Sequence, residues 1–161
     1  MRWSLAIVAL IAAPACAQES PAIDYPGFVE LTAEVAALRE TRLIGWQQFR
    51  TDSVAGSAIL LDTRSAADFA RGHIAGAVHL PFSEFTDAKL HAVLGEDKGR
   101  PIYIYCNNNF ADNAPPVTLK RAPLALNIPT FVNLVGYGYG NVWELGERVT
   151  IAQLGADWVT G

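Results

Sequence analysis

The sequence predicts an α/β domain, with a parallel sheet of short strands and helices on both faces. Two apolar runs point to it. Ala58-Ile59-Leu60-Leu61 and Ile102-Tyr103-Ile104-Tyr105 are short and uncharged, as expected of strands buried on both faces. The third observation is alternation, since segments with helical spacing separate these and other short strands.

The elements follow in order. Glu19 to Gly27, with Pro21 and Pro26, reads as an extended leader. Glu30 to Arg39 is rich in Ala, Leu and Glu, and Thr32, Val35 and Leu38 have the spacing of a short amphipathic helix. Arg42 to Ile44 is a short strand, Trp46 to Arg50 one or two helical turns, and Asp52 to Gly56 a turn. After the strand at Ala58 to Leu61, Ser65 is placed to cap a short helix that Gly72 stops. Ala77 to Leu80 is a strand ended by Pro81. Ser83 to Leu94 carries helical apolar spacing, with Gly95 as its cap. Ile102 to Tyr105 is the next strand. Thr130 to Val135 is helical with Pro129 near its first turn, and Asn141 to Leu145 is a last parallel strand. Ala114 to Pro129 contains four prolines and reads as a long, stiffened loop, with at most one helical turn at Val117 to Arg121.

At 161 residues the chain suits one domain with a real core. Its net charge of −4 and lack of a basic stripe argue against nucleic acid as a partner. The first 17 residues read as a secretory signal peptide. Arg2 is the positive region, Leu5 to Ala13 the apolar region, and Ala15-Cys16-Ala17 the small-x-small cleavage site. Residues 18–41 then form a leader and helix, and 42–161 the domain. The expected location is a bacterial periplasm or the exterior, with no membrane contact unless Cys16 is lipidated. The sequence does not specify an oligomeric state.

Cleavage after Ala17 leaves Cys106 as the sole cysteine. It follows the Ile102 to Tyr105 strand and opens the polar loop Asn107-Asn108-Asn109-Phe110-Ala111, where open α/β sheets keep their ligand crevice. Such a thiol is either a small buried apolar residue or a reactive group.

Leu61-Asp62-Thr63-Arg64, then Asp68-Phe69, then Gly72-His73-Ile74-Ala75-Gly76-Ala77-Val78-His79-Leu80-Pro81 resembles the signature of rhodanese-like domains. The family commonly has Glu where Asp68 stands and Asn where His79 stands. Gly140 to Leu145 looks like its final strand, so the resemblance runs from about Arg42 to Gly146.

The resemblance implies a sheet of about five parallel strands and Cys106 as the sulfur-accepting residue. A persulfide would form on it from thiosulfate or a related donor and pass to a nucleophile. Loop amides from Asn107, Asn108, Asn109, Phe110 and Ala111, together with a helix N-terminus, would hold the anion and lower the thiol pKa. The partner implied is a small sulfur-containing anion or a protein thiol, with no cofactor and no metal. Asp62, Arg64 and His73 are expected as structural support.

The loop departs from the family's usual pattern, since residues 107 to 113 contain no glycine and no cation, and Asp112 adds negative charge. Three asparagines can compensate through left-handed backbone or donated side-chain amides. Lys120 and Arg121 are the nearest downstream cations, either folded back over the thiol or solvated. Asp112 also stands where a Cys-x5-Arg phosphatase needs its arginine, which excludes that chemistry. Alternatives to a sulfurtransferase are a catalytically weak or inactive binding module and a periplasmic thiol-redox protein.

Overall fold

Strand β5 (Ile102–Tyr105) lies at the centre of the sheet, and the rest of the fold is arranged around it. The structure is a computed structural model describing residues 22–112 and 119–161. The expected signal peptide and the first part of the expected turn at Val117 to Arg121 lie outside the described residues. Five parallel strands form the sheet in the order β1 (Leu43–Ile44), β6 (Val142–Leu145), β5, β2 (Ile59–Asp62), β4 (Val78–His79). Asp62 pairs in register with Tyr105, and Ile104 with Glu144.

The period of two in a strand splits the core into two layers. Ile59, Leu61, Ile102, Ile104 and Val142 face one side. There they pack with α1 (Tyr25–Arg39), α4 (Asp87–Leu94) and α5 (Asn127–Gly136) through Val35, Leu90 and Phe131. Leu60, Tyr103, Tyr105 and Leu145 face the other side, against α2 (Trp46–Ser53) and α6 (Ile151–Leu154) through Phe49 and Leu154. The sheet is thus apolar on both faces, which is why β2 and β5 read as unbroken hydrophobic runs.

The expected α/β architecture with about five parallel strands is therefore present, and several boundaries move. Helix α1 starts at Tyr25, inside the expected extended leader. Pro26 sits in its first turn, where a missing N–H costs nothing, and the Asp24 carboxylate accepts from the Gly27 amide at 2.9 Å. Helix α2 continues to Ser53, into the expected turn. Helix α4 starts at Asp87 rather than Ser83. Thr86 has extended backbone and caps the Lys89 amide, which confines Phe82–Glu84 to a separate 3₁₀ turn. Gly95 ends α4 as expected, at φ +84°, a backbone conformation that glycine adopts freely. Helix α5 begins at Asn127, and the turn before it falls at Ala122–Leu124 rather than between Leu119 and Arg121.

Helix α3 (Ala66–Arg71) is capped by Ser65, whose side chain accepts from the Asp68 amide, and ends at Gly72 as expected. Beyond it lies a second small sheet that no local pattern announced. β3 (His73–Ile74) pairs antiparallel with β7 (Trp158–Val159), and the Trp158 indole lies so close to Gly72 that a Cβ there would meet it at 2.3 Å.

Candidate functional site

Parallel strands point all their carboxyl ends to one edge, and a cavity of about 320 Å³ opens there beyond β2 and β5. Thr63 and Arg64 after β2, Cys106, Asn107 and Asn108 after β5, and Lys120 from the long loop line it. Thr63 is tied to α5 by a 2.9 Å hydroxyl–hydroxyl bond with Thr130, fixing that helix against the pocket.

Cys106 lies at this edge with only 2 % of its surface exposed. Burial pushes its thiol pKa up, because the charged form loses hydration. The Glu144 carboxylate nearby acts in the same direction. Three backbone amides oppose it, those of Asn127, Asn108 and Leu126. Two of the three belong to the start of α5, where a helix leaves N–H groups without an intrahelical partner. The balance is a raised pKa, so the lowered value implied by the family resemblance is not found. Burial outweighs the amides in the free protein.

The asparagine loop works differently from expectation. Asn107–Asn109 form one right-handed 3₁₀ turn, and no non-glycine residue among those described has a positive φ. Their side-chain amides bond to protein rather than to the sulfur. Asn107 accepts from Arg64 at 3.1 Å and donates to Asp68 at 3.4 Å. Asn108 grips the backbone of Lys120 from both sides, accepting from its N–H at 3.0 Å and donating to its carbonyl at 2.7 Å. Asn109 accepts from the Cys106 N–H at 2.9 Å and donates to the Leu145 and Glu147 carbonyls at 2.8 and 3.1 Å.

Phe110 and Ala111 do not line the cavity. Phe110 is buried against Tyr105 and Trp158, and the Ala111 amide donates to the Val149 carbonyl. Asp112 accepts from the Ile151 amide at 2.7 Å, and its charge is used at the start of α6. Lys120 reaches the cavity wall, whereas Arg121 borders a separate groove with Phe28 and Leu124.

Of the three expected support residues, Asp62 and Arg64 are joined to each other, and His73 is held separately by Phe69. Asp62 and Arg64 are both fully buried and joined by a forked ion pair, with Arg64 Nη2 to Asp62 at 2.6 Å. Arg64 also donates to the Gly72 carbonyl at 2.7 Å. Tyr105 donates its hydroxyl to Asp62 at 2.7 Å and accepts from the Ile74 amide at 3.1 Å. Burial alone would lower the Arg64 pKa, but the bonds and charge of Asp62 hold it above its usual value. His73 donates Nδ1–H to the Phe69 carbonyl at 2.9 Å and stacks on the Phe69 ring, so it braces the turn.

Sequence reasoning passed over Leu126, Asn127 and Glu144. The available signal was Glu144 itself, a charged residue inside the apolar strand Val142-Trp143-Glu144-Leu145, which demands a buried partner.

Raised values at Cys106 and Tyr105, both from burial first, set a pH dependence. The folded chain holds these protons longer than the unfolded one. The resulting stability is complete below the ordinary thiol range and is lost as pH rises through the raised values. The denaturant midpoint is expected to fall between about pH 8 and about pH 10.5, and Cys106→Ala should flatten the lower part of that fall. An unchanged curve in the variant would mean the thiol carries none of it.

The rhodanese-like domain family model matches residues 46–145. Among solved structures, the chain is similar to the crystal structure of the Alr3790 protein from Anabaena sp., at 19 % identity and TM-score 0.47, covering 71 % of this chain and 87 % of that one. A solution NMR structure of the rhodanese-like domain of Alr3790 matches at 22 % identity and TM-score 0.47, covering 71 % and 74 %. The BH2092 protein from Bacillus halodurans matches at 15 % identity and TM-score 0.46, covering 72 % and 74 %. With the family pattern spanning most of the folded chain and its strands in the parallel order described, this protein belongs to the rhodanese-like domain family.

Proposed function

We propose that the protein is a sulfurtransferase that carries sulfane sulfur on Cys106. The observation that carries this reading is the place of Cys106, directly after the central strand β5 and on the wall of a cavity that Lys120 also lines, with the Asn108, Leu126 and Asn127 backbone amides acting to favour its anion. Amides aimed at one atom favour an anion there. With thiosulfate as donor, the Cys106 thiol first gives its proton to solvent. The thiolate attacks the outer sulfur of thiosulfate, the new S–S bond forms, and sulfite leaves with the electron pair of the old one. The persulfide keeps one negative charge, which the three amides receive. An acceptor thiolate then attacks the outer sulfur, and Cys106 departs as thiolate. The proposed donor is a small sulfur-containing anion, in keeping with the size of the cavity, and the proposed acceptor is a small nucleophile or a protein thiol. Export to the periplasm, with cleavage after Ala17, belongs to the same proposal and rests on the three-part N-terminus.

A second reading, a rhodanese-fold binding module, draws on the near-complete burial of Cys106 and its raised pKa. Intact mass separates the two. After incubation of the exported protein with thiosulfate, the wild type is expected to gain one sulfur and Cys106→Ser none. The same spectrum shows whether the chain starts at Gln18. No gain on the wild type, with slow alkylation of its thiol at neutral pH, overturns the enzyme reading in favour of the module.

A further inference from the structure

Glu144, on β6 of the sheet, is a carboxylate 5 % exposed, and its partners come from two different elements. Arg39, at the end of α1 and outside residues 46–145, holds it with both a short Nε bond and an Nη2 bond of 2.9 Å. Asn127, the first residue of α5, donates Nδ2 to Glu144 Oε1 at 3.2 Å and to Asn109 Oδ1 at 3.2 Å. Asn109 Oδ1 in turn accepts from the Cys106 amide. One chain of bonds therefore runs from the surface of α1 to the backbone of the cysteine, and passes through the residue whose own N–H faces the sulfur. Asn127 is 3 % exposed, and its Oδ1 is buried with no hydrogen-bond partner, so its side chain is held by these two donated bonds.

We propose that Arg39, Glu144 and the Asn127 side chain are positioning residues of the sulfur site, clamping the first amides of α5 over Cys106. The Arg39–Glu144 pair has a second effect, because Arg39 neutralises a buried carboxylate that faces the thiol from β6. The other charged groups toward Cys106 are Arg64 and Asp68 on the β2–α3 side and Lys120 on the loop, all on the cavity wall. Helix α1 is then part of the site and not an appendage to the family domain. This inference rests on Cys106 being the sulfur-carrying residue.

The test is the pH profile of Cys106 alkylation by iodoacetamide in Arg39→Gln, Arg39→Lys and Glu144→Gln. Arg39→Gln leaves the carboxylate unneutralised and the clamp slack, and the midpoint should rise by about 0.5 to 1 in pH. Arg39→Lys should restore most of that. Glu144→Gln keeps an acceptor for Asn127 and removes the charge, so its midpoint should fall. Wild-type midpoints in all three variants, or shifts of the same sign in Arg39→Gln and Glu144→Gln, would overturn the proposal. Arg39 is 41 % exposed at its side chain, so the two Arg39 variants carry the test alone if Glu144→Gln does not fold. Loss of sulfur transfer as such appears instead in the wild-type mass spectrum with thiosulfate.

Discussion

Replacing Arg64 by methionine is expected to cost the fold about 3–5 kcal/mol, the largest stability loss from any single polar side chain here. The substitution keeps most of the buried volume and removes the charge. Asp62, with no exposed surface, would retain only the Tyr105 hydroxyl and the residue-64 amide as donors. The Gly72 carbonyl would lose its donor as well. Uncompensated charge in a dry interior is costly because no water replaces the lost partner. The melting temperature should fall by about 10 °C or more. Adding Asp62→Asn to the methionine variant should recover part of the loss, since the stranded charge then disappears. A drop below about 1 kcal/mol would show that water reaches Asp62. The proposed sulfur transfer should suffer beyond stability, because Arg64 also holds Asn107 at 3.1 Å on the cavity wall.

Phe131→Ala should be comparably damaging, by about 3–5 kcal/mol. Phe131 is the aromatic of α5 that packs with Val35, Ile104 and Val142 between helix and sheet, and it is 1 % exposed. Its loss leaves a void where α5 is seated, and two of the three amides that favour the Cys106 anion belong to the start of that helix. Cys106 should therefore alkylate faster at neutral pH in this variant than in one that is equally destabilised on the opposite face, such as Phe49→Ala. Equal alkylation rates in the two would show that the seating of α5 does not control access to the sulfur. Denaturant titration with parallel alkylation measures both quantities.

These expectations separate what local sequence can announce from what it cannot. Strands β2 and β5 were legible because burial on both faces leaves an unbroken apolar run. Helix α3 was legible because Ser65 and Gly72 bracket it with local chemistry. Cys106 was legible as the residue of interest because it ends a central parallel strand. The start of α1 was not, since Pro26 looks the same in an extended leader as in a first helical turn. The pairing of β3 with β7 joins segments far apart in the chain and leaves no periodicity in two-residue strands. The sulfur's surroundings were hidden for the same reason. Asn108 is a neighbour in sequence, but Leu126 and Asn127 arrive through tertiary packing, and the asparagine amides of the loop are spent on backbone partners that no local pattern reveals.

The long excursion between Cys106 and α5 has a bearing on how the thiol comes into its chemistry during synthesis. Residue 106 leaves the ribosome well before the segment that supplies two of its three amides, and before Glu144. Until those parts dock, the cysteine behaves like any thiol on an open chain, and long-range contacts of this kind form late. The sulfur transfer proposed for Cys106 would thus be gained only with completion of the fold, and not by the nascent polypeptide.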